Sequence, residues 1–328
     1  MSEFQVEVIR ISEIVKHTNA DSLEVVMNGL YPVCVRKGEF KVGDTAIYIP
    51  IDAEVPVDEP EFSFLKKSIS RTHERIKAKR LRGVFSMGLL VPNKRGFSVG
   101  QNVQEEMKVL KWEEPMKLTQ QGNAGKDVGY LPHYDIESIR KWSKIINLGE
   151  DVIITEKLHG TNFGAVWSSK DELFYVKSHK LYRERMDTDL WWRIAEQYNL
   201  EEKLKRFPDI GIYGEIYGSV QSLKYGHKQG KCSLRIFDAI NINTHSWFSE
   251  DEFSAFADAL ELDRTPILYK GIWQGYEWCK NTFACGNSTL ADCMREGCVV
   301  HTKENRRHQM AGRVKLKVIS EEYQLKKK

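Results

Sequence analysis

The sequence has no long apolar run and little proline or cysteine. None of its apolar segments approaches the ~18 residues that a membrane-spanning helix needs, so no membrane partner is expected. Nine prolines and 23 glycines among 328 residues exclude a collagen-like or low-complexity chain. The first residues also lack the basic and then apolar pattern of a secretion signal, which predicts a cytoplasmic protein.

Neither sign of charge is in large excess. The 49 Lys and Arg residues against 46 Asp and Glu give a net charge of +3, which by itself indicates no class of partner. The charges are unevenly spread, however, because six basic residues and one acidic residue lie from Arg71 to Arg82. Clustered cations can neutralise backbone phosphates, so Lys77, Lys79 and Arg80 are candidate contacts to nucleic acid. A solvated strand face is the alternative interpretation.

The six cysteines are too irregularly spaced for a common zinc motif. They stand at Cys34, Cys232, Cys279, Cys285, Cys293 and Cys298. None forms a Cys-x-x-Cys pair, although the last four lie near His301 and His308, and a metal site there is an alternative. The pattern favours reduced, partly buried thiols.

Residues 1–100 are rich in short alternating segments with almost no helical periodicity. Residues 4–11 and 23–27 alternate apolar and polar side chains, and Asn28-Gly29 predicts a tight turn. Residues 41–44 are typical of a turn that leads into a strand over 45–49. About five short strands in a hundred residues predict a small closed barrel. The OB-fold is the common barrel of this size that binds oligonucleotides, and a purely structural barrel is the alternative.

The rest of the chain contains a polar segment followed by both helical and strand patterns. Residues 101–135 are polar and contain glycine, which predicts a linker, and 136–328 predict a second domain of helices and short strands. Its predicted helices cover 136–146, 188–207 and 250–260. Ser249 followed by Glu252 predicts the N-terminal cap of the last helix. The predicted fold class is α+β, with an OB-like β-barrel followed by a mixed α/β domain.

Five short motifs of the second domain carry residues that suit phosphoryl chemistry. They are Lys157-x-x-Gly160, Gly214-Glu215, Phe237-Asp238, Glu296-Gly297 and Lys315-x-Lys317. Each is weak alone, because a lysine at the end of a strand is usually a solvated charge and two lysines on one strand face can mark a sheet edge. A carboxylate between apolar residues, as at Glu215, is costly without a cation nearby.

In this order the five motifs resemble those of the covalent nucleotidyltransferases, which are the polynucleotide ligases and the RNA capping enzymes. The lysine motif has His159 in its third position, and in this it resembles the motif of the RNA ligases. DNA ligases and capping enzymes usually have aspartate there. An OB-like domain that precedes the transferase domain is also similar to one group of RNA ligases. The resemblance covers nearly the whole chain and implies an ATP-dependent RNA ligase with an ATP-grasp-like adenylyltransferase domain.

The resemblance implies that Lys157 attacks the α-phosphorus of ATP, that AMP passes to a 5′-phosphate, and that a 3′-hydroxyl then displaces it. Joining is expected at nicks with RNA on the 3′-hydroxyl side. Glu215 and Glu296 are the implied ligands of Mg²⁺ or Mn²⁺, because hard oxygen ligands suit these ions. Lys315 and Lys317 are expected to hold the α-phosphate and to lower the pKa of Lys157 by like-charge proximity.

Further contacts are implied residue by residue. The remaining implied ATP contacts are Glu156 and Phe237 at the adenine, Gly160 at the turn and Arg140 at the triphosphate. The implied nucleic-acid contacts of this domain are Thr161, Asn162 and Lys180. The alternatives are a core position for Phe237, a solvated helix charge for Arg140 and ribose binding for Glu215. Ligases often carry a Ser-Arg step after the lysine motif. Here it reads Ser178-His179-Lys180, with Arg183 and Arg185 beyond, and the sequence leaves open which cation takes that role.

Two other functions fit parts of the pattern. A DNA ligase or a capping-type enzyme would use the same motifs, but His159 and the domain order disfavour both. A catalytically silent nucleic-acid-binding protein would need the barrel and not the nucleophile. The expected partners are therefore ATP and nucleic acid, as RNA ends or a nicked duplex, and the protein is expected to act as a monomer.

Overall fold

A computed structural model describes residues 4–68, 70–113 and 122–326. The chain divides into two compact units, of which the first comprises Met1–Glu114 with Glu321–Lys328 and the second comprises Pro115–Ser320. Within the described ranges, no helix is both long and apolar enough to cross a bilayer.

Most of the regular structure consists of short strands. In chain order the strands are β1 (Glu7–Arg10), β2 (Ile14–Lys16), β3 (Leu23–Asn28), β4 (Tyr31–Arg36), β5 (Thr45–Ile49), β6 (Ala53–Pro56), β7 (His73–Arg75), β8 (Lys79–Leu81), β9 (Val84–Ser86), β10 (Leu89–Pro92), β11 (Leu110–Lys111), β12 (Glu137–Ser138), β13 (Asp151–Lys157), β14 (Gly160–Ser168), β15 (Leu173–Lys177), β16 (Ile210–Gly218), β17 (Cys232–Asn241), β18 (Ser246–Trp247), β19 (Ile267–Ile272), β20 (Gly297–Thr302), β21 (Arg307–His308), β22 (Gly312–Arg313) and β23 (Lys315–Ile319). The helices are α1 (Leu190–Gln197), α2 (Leu200–Lys205), α3 (Glu250–Ala259), α4 (Tyr276–Cys279) and α5 (Glu321–Lys326), with a 3-10 turn at Ser63–Leu65 and a π-helical turn at Lys280–Ala284.

The first unit contains small antiparallel sheets with the orders β1-β5-β10, β2-β3-β4 and β11-β6-β7. The predicted strand segments 4–11, 23–27 and 45–49 form β1, β3 and β5, and Gly29 (φ 58°) supplies the positive φ of the turn after β3. Alternation along β5 divides its side chains between two apolar clusters. Ile47 and Ile49 belong to one cluster, and Ala46 and Tyr48 belong to the other.

The basic cluster of the first unit separates into paired and exposed residues. Arg71 and Arg75 form ion pairs with neighbouring carboxylates. Lys77, Lys79 and Arg80 are exposed beside the hairpin of β8 and β9. Arg82 is exposed as well, and Arg80 also lies 3.7 Å from Oε2 of Glu321. The contact of Lys77, Lys79 and Arg80 with nucleic acid stays a prediction.

The linker predicted over 101–135 is shorter in the structure. Val103 and Met107 are buried in the core of the first unit, and β11 pairs with β6. Further along, Leu131 is buried in the second unit. These apolar side chains are few and widely spaced, so the polar composition of the segment concealed them. Residues 114–121, in the middle of the predicted linker, lie outside the described residues.

The domain boundary near the C terminus also differs from the predicted 136–328. α5 belongs to the first unit, where Leu325 packs against Ala78, Phe85 and Met87. The helix follows β23 almost directly, so no change of composition separates it from the second unit. Only the packing of its apolar side chain decides where it belongs.

The second unit has two five-stranded sheets, with the orders β12-β23-β20-β13-β19 and β15-β14-β16-β17-β18. Helices α1, α2 and α3 share an apolar core with the second sheet, to which Phe163, Trp191 and Phe256 contribute. α3 begins as predicted, because Ser249 and Glu252 form a reciprocal capping box. The predicted helix over 188–207 is present as α1 and α2.

The helix predicted over 136–146 is wrong. The segment contains the short strand β12, which pairs in parallel with β23, and then a series of turns. Ile139 and Ile146 are buried, so the apolar spacing that resembled a helical face marks the contacts of an irregular segment. Pairing with a strand distant in sequence outweighed local helix propensity.

Candidate functional site: a lysine between two sheets

Lys157 lies where the chain passes from one sheet of the second unit to the other. β13, in the first five-stranded sheet, ends at Lys157, and β14, in the second, begins at Gly160. The antiparallel register of β13 with β20 places Lys157 next to Glu296. Because β14 pairs with β16, Asn162 lies opposite Glu215. Motifs that are far apart in the sequence thereby meet at the crossing between the sheets.

Two motif glycines are required by close backbone contacts. A Cβ atom at Gly160 would collide with the carbonyl oxygen of Ile216, and one at Gly297 would collide with that of Val318. Any side chain at either position would push paired strands apart beside the lysine. The glycines therefore allow β14 to approach β16, which carries Glu215, and β20 to approach β23, which carries Lys315 and Lys317.

Lys157 lies beside two carboxyl groups, that of the buried Glu296 and that of the half-buried Glu215. Its Nζ lies 2.7 Å from Oε1 of Glu296. Burial alone would lower the pKa of Lys157, but attraction to Glu296 and Glu215 outweighs burial, and the pKa is raised. Burial raises the pKa of Glu215 to about 8, with Lys157 opposing the rise and Glu296 adding to it. Burial would also raise the pKa of Glu296, but Lys157 and His159 lower it to about 2.

The predicted lowering of the Lys157 pKa by Lys315 and Lys317 does not occur in this arrangement, because the carboxylates dominate. The pKa values of the other two lysines are themselves lowered. Burial is the main cause of both lowered pKa values. The positive charge of Arg313 lowers the pKa of Lys315 further, and the positive charge of Lys157 lowers that of Lys317 further. The negative charge of Glu296, whose pKa is low, is therefore the main obstacle to deprotonation of Lys157.

A cavity of about 300 Å³ opens beside Lys157. Its described lining consists of Tyr134, Asp135, Ile136, Thr155, Glu156, Lys157, Leu158, Gly160, Thr161, Asn162, His179, Glu215, Phe237, Thr265, Val299, Lys315 and Lys317. Most of the residues predicted for the site are thus brought together. Tyr134, Asp135 and His179 were not predicted, since two belong to the supposed linker and the third lies outside the five motifs.

One wall of the cavity is aromatic and rests on a buried aspartate. The rings of Tyr134 and Phe237 have centroids 4.8 Å apart. Asp238 accepts hydrogen bonds from Tyr134 (2.6 Å), Lys315 (2.8 Å) and Arg313 (2.7 Å). Burial would raise the pKa of Asp238, but the two cations hold it well below its usual range. Asp238 therefore fixes the positions of Tyr134 and Lys315, a role that the motif alone did not indicate.

Glu156 is anchored from outside the cavity. Its Oε2 accepts hydrogen bonds from the backbone N–H and the hydroxyl of Thr289, at 2.9 and 2.8 Å. Its Oε1 is buried and has no hydrogen-bond partner among the residues that the structure describes. A buried carboxylate oxygen without a donor is costly, so a donor supplied by a ligand would stabilise it.

Three residues predicted for the site in this unit, Glu296, Arg140 and Lys180, lie outside the described cavity lining, although Glu296 contacts Lys157. Arg140 is buried, with its guanidinium 5.5 Å from the ring centroid of Tyr276, so it is not a solvated helix charge, and its contact with the triphosphate stays a prediction. Lys180 is exposed and does not line the cavity. Its neighbour His179 does line the cavity, and its Nε2 lies 3.5 Å from Oδ1 of Asp135.

The arginines that follow His179 are engaged elsewhere. Arg183 is buried and donates two hydrogen bonds to Asp189, which also caps α1. Arg185 pairs with acidic residues at the surface. Among the cations considered after the lysine motif, His179 is the one in the described lining of the cavity.

The carboxylates suit a divalent cation better than the cysteines suit zinc. The described ranges contain no group of three or more His, Cys, Asp or Glu side chains placed to hold a metal ion, and Cys279 and Cys298 are a buried pair with Sγ atoms 3.7 Å apart. Oε2 of Glu296 is buried without a hydrogen bond from the described residues, with Nδ1 of His159 at 3.6 Å, and Glu215 is a half-buried carboxyl group with a raised pKa. A bound cation would provide the carboxyl oxygens of both residues with an opposite charge, so these oxygens fit Mg²⁺ or Mn²⁺.

Glu215 predicts a loss of stability at alkaline pH. Its pKa in the folded protein is about 8 against an ordinary 4.5, so the folded state binds the proton more tightly and stability falls as the pH rises through this window. With a chelator present, the Tm of the wild type should fall between pH 5 and 8.5. In Glu215→Gln this fall should be smaller, by on the order of 5 °C, because one kcal/mol corresponds to about 2–4 °C.

Thermal unfolding followed by circular dichroism would measure this difference. Replacing the exposed Glu202 by glutamine is the matched control and should leave the pH dependence as in the wild type. An equal alkaline fall in the Glu215 variant would show that this carboxyl is ionised at ordinary pH.

Comparison with known proteins gives the family of the chain and its fold. The model of the RNA ligase family matches residues 150–319, which is more than half of the chain, and an OB-fold domain model matches residues 5–93. A ligase-type nucleotidyltransferase domain thus follows an N-terminal OB-fold domain, as predicted. The chain belongs to the RNA ligase family. No curated protein sequence matches it significantly.

Solved structures of the Naegleria gruberi RNA ligase share this fold along the whole chain. A lysine-to-alanine mutant of that protein with ATP and Mn is 23% identical, has a TM-score of 0.86, and the match covers 98% of this chain and 99% of that one. The same ligase with PPi has a TM-score of 0.84 at 23% identity, with 98% of both chains covered. A lysine-to-methionine mutant with AMP and Mn has a TM-score of 0.86 at 23% identity, with 99% of both chains covered.

Proposed function

We propose that the protein is an ATP-dependent RNA ligase that joins 3′-hydroxyl and 5′-phosphate ends through a lysine–AMP intermediate on Lys157, at nicks with RNA on the 3′-hydroxyl side. The observation that carries the proposal is the position of the Lys157 amine. It lines a cavity of about 300 Å³ together with two further lysines and a buried carboxylate, in a chain of the RNA ligase family. Structures of the Naegleria ligase with ATP and Mn, and with AMP and Mn, support the choice of nucleotide.

In the first step, the lone pair of the Lys157 amine attacks the α-phosphorus of ATP. A P–N bond forms, the bond to the bridging oxygen breaks, and pyrophosphate leaves with the electron pair while the amine loses its proton. Lys315 and Lys317 line the same cavity and would bind the α-phosphate oxygens as charge develops on them. Their lowered pKa values reflect burial beside other cations, which an anionic phosphate would offset.

Glu215 and Glu296 are the residues that would hold the divalent ion. When bound, Mg²⁺ or Mn²⁺ would supply positive charge that neutralises the two carboxylates and screens the phosphates. These two residues now raise the pKa of Lys157. Their neutralisation would remove that effect, and burial would then lower the pKa toward a nucleophilic amine.

The adenine is proposed to lie against Phe237 and Tyr134, whose rings form the aromatic wall. Phe237 lines the cavity and is only partly buried, so a face of its ring remains for stacking. The unpartnered Oε1 of Glu156 would accept a hydrogen bond from the adenine amino group. A guanine presents a carbonyl oxygen at that position, which would place two acceptors together and disfavour GTP.

In the second and third steps, the 5′-phosphate attacks the α-phosphorus of the lysine–AMP adduct and restores the amine, and a 3′-hydroxyl then displaces AMP. Thr161 and Asn162 follow the Gly160 turn and line the cavity, so they would orient the 5′-phosphate. His179, held by Asp135, would take the place of the arginine that other ligases carry after the lysine motif.

Incubation with ATP labelled on the α-phosphate, followed by denaturing electrophoresis, tests the first step. We expect a labelled protein band with ATP and a divalent ion, little label with GTP, and sealing of a nicked duplex with RNA at the 3′-hydroxyl. Sealing only when the 3′-hydroxyl strand is DNA would favour a DNA ligase. A protein that binds nucleic acid but takes up no label would be the catalytically silent alternative.

The exposed basic residues of the first unit predict a salt-dependent contribution to RNA binding. Replacing Lys77, Lys79 and Arg80 together by alanine should reduce the slope of log K against log salt concentration, by about 0.9 for each phosphate that the protein no longer neutralises. Filter binding of a nicked duplex at several salt concentrations measures the slope. An unchanged slope would place the nucleic acid on another surface.

A further inference from the structure

The connection between β16 and β17, residues 219–231, is strongly basic, and we refer to it as the basic loop. The chain has no acidic residue between Glu215 and Asp238, whereas the loop carries Lys224, Lys228 and Lys231. All three are exposed, and none of their ammonium groups has an ion-pair or hydrogen-bond partner in the part of the chain that the structure describes. The loop therefore presents three uncompensated positive charges to solvent.

The basic loop is fixed to the segment that carries the catalytic lysine. The hydroxyl of Tyr225 accepts a hydrogen bond from the backbone N–H of His159 (2.7 Å), and Oγ of Ser222 lies 3.0 Å from Nε2 of the same residue. Tyr225 is buried and has a φ of 49°, a left-handed conformation that a non-glycine residue adopts at a cost. Within the loop, the N–H of Gly230 donates to Oγ of Ser219 (3.0 Å).

These contacts place the charges close to the site but outside the nucleotide cavity. His159 is two residues past Lys157, so the loop is bonded directly to the strand crossing. None of the residues 219–231 is in the described lining of the cavity. A ligand that reaches the lysines of the loop must therefore extend beyond the mononucleotide and carry negative charge along its length.

We propose that the basic loop binds backbone phosphates of the RNA that flanks the joint, which gives the adenylyltransferase unit its own contact with the polymer. The proposal rests on the proposed ligase function. The composition of the loop favours RNA over a protein partner, because its exposed residues are lysine, serine, glutamine and glycine. Protein interfaces are depleted in lysine and centre on apolar or aromatic side chains, whereas phosphate binding requires only placed positive charge.

The test is equilibrium binding of a nicked RNA duplex with a 5′-phosphate to the full-length protein, without ATP and with a chelator, at several salt concentrations. Lys224→Ala, Lys228→Ala and Lys231→Ala combined should raise Kd by about 10–100-fold at low salt and reduce the salt slope by about 2–3. The same three positions changed to arginine should retain the slope, since arginine keeps the charge.

The matched control changes Lys144, Lys170 and Lys303 to alanine, which removes the same charge from turns at the opposite ends of the strands. Lys303 follows β20 at the end away from Glu296, and Lys170 follows β14 at the end away from Gly160. This variant should bind as the wild type does.

Three results would overturn the proposal. The first is an unchanged salt slope in the loop variant, and the second is an equal weakening of RNA binding in the matched control. The third is unchanged RNA binding together with a raised KM for ATP in a separate labelling assay, which would make the triphosphate the ligand. Because binding is measured without ATP, the result does not depend on whether the protein forms lysine–AMP. Failure of the wild type to take up label would instead reject the proposed function.

Discussion

Replacing Lys157 by alanine is expected to abolish labelling by α-labelled ATP and all sealing of ends that carry a 5′-phosphate. Among the lysines in the described lining of the cavity, Lys157 is the one whose Nζ lies 2.7 Å from Oε1 of Glu296. The alanine variant also leaves the buried carboxylate of Glu296 without its cation, so its stability should decrease. A melting curve is needed beside the activity assay for that reason.

Lys157→Arg separates the nucleophile from the charge. Arginine keeps the positive charge next to Glu296 and Glu215, but its guanidinium stays protonated and cannot attack phosphorus. We expect this variant to melt closer to the wild type than the alanine variant does, and to be equally inactive in labelling. Lys303→Ala, at the far end of β20, should label normally. A persistent lysine–AMP adduct in either Lys157 variant would mean that another residue is the nucleophile.

Replacing Asn162 by alanine should leave lysine–AMP formation largely intact and reduce sealing of a pre-adenylylated end by about 10–1000-fold, as expected for the removal of one orienting hydrogen bond in a desolvated site. Asn162 lines the cavity five residues past Lys157 and lies opposite Glu215 in the strand pairing. Its backbone carbonyl accepts a hydrogen bond from Trp191. Its side-chain amide has no hydrogen-bond partner within the described residues, so it does not cap the turn.

Both steps should be measured on the same preparation of the Asn162 variant, with a melting curve. Because the amide makes no bond to the described residues, the expected change in the free energy of unfolding is within about 0.5 kcal/mol. Asn147→Ala, an exposed position before β13, is the matched control and should leave both steps unchanged. Equal decreases in adenylylation and in sealing would exclude a specific role in orienting the RNA end.

The amino-acid sequence alone was sufficient for features that depend on neighbouring residues. The alternation in β1 and β3 and the turn before β5 predicted a strand-rich first domain, and Ser249 with Glu252 predicted the start of α3. The order of the five motifs indicated the family and the residues around Lys157. Such features follow from side-chain periodicity and local hydrogen bonding, which a short stretch of sequence already contains.

Other features depended on which strands pair, and the sequence did not reveal them. The register of β13 with β20 brings Glu296 to Lys157 and raises the pKa of the lysine, contrary to the expectation drawn from the neighbouring lysine motif. The placement of Tyr134 over Phe237 and the burial of Arg140 depend in the same way on contacts between distant segments. Electrostatic energy varies with distance and burial, and both quantities exist only once the two sheets have formed.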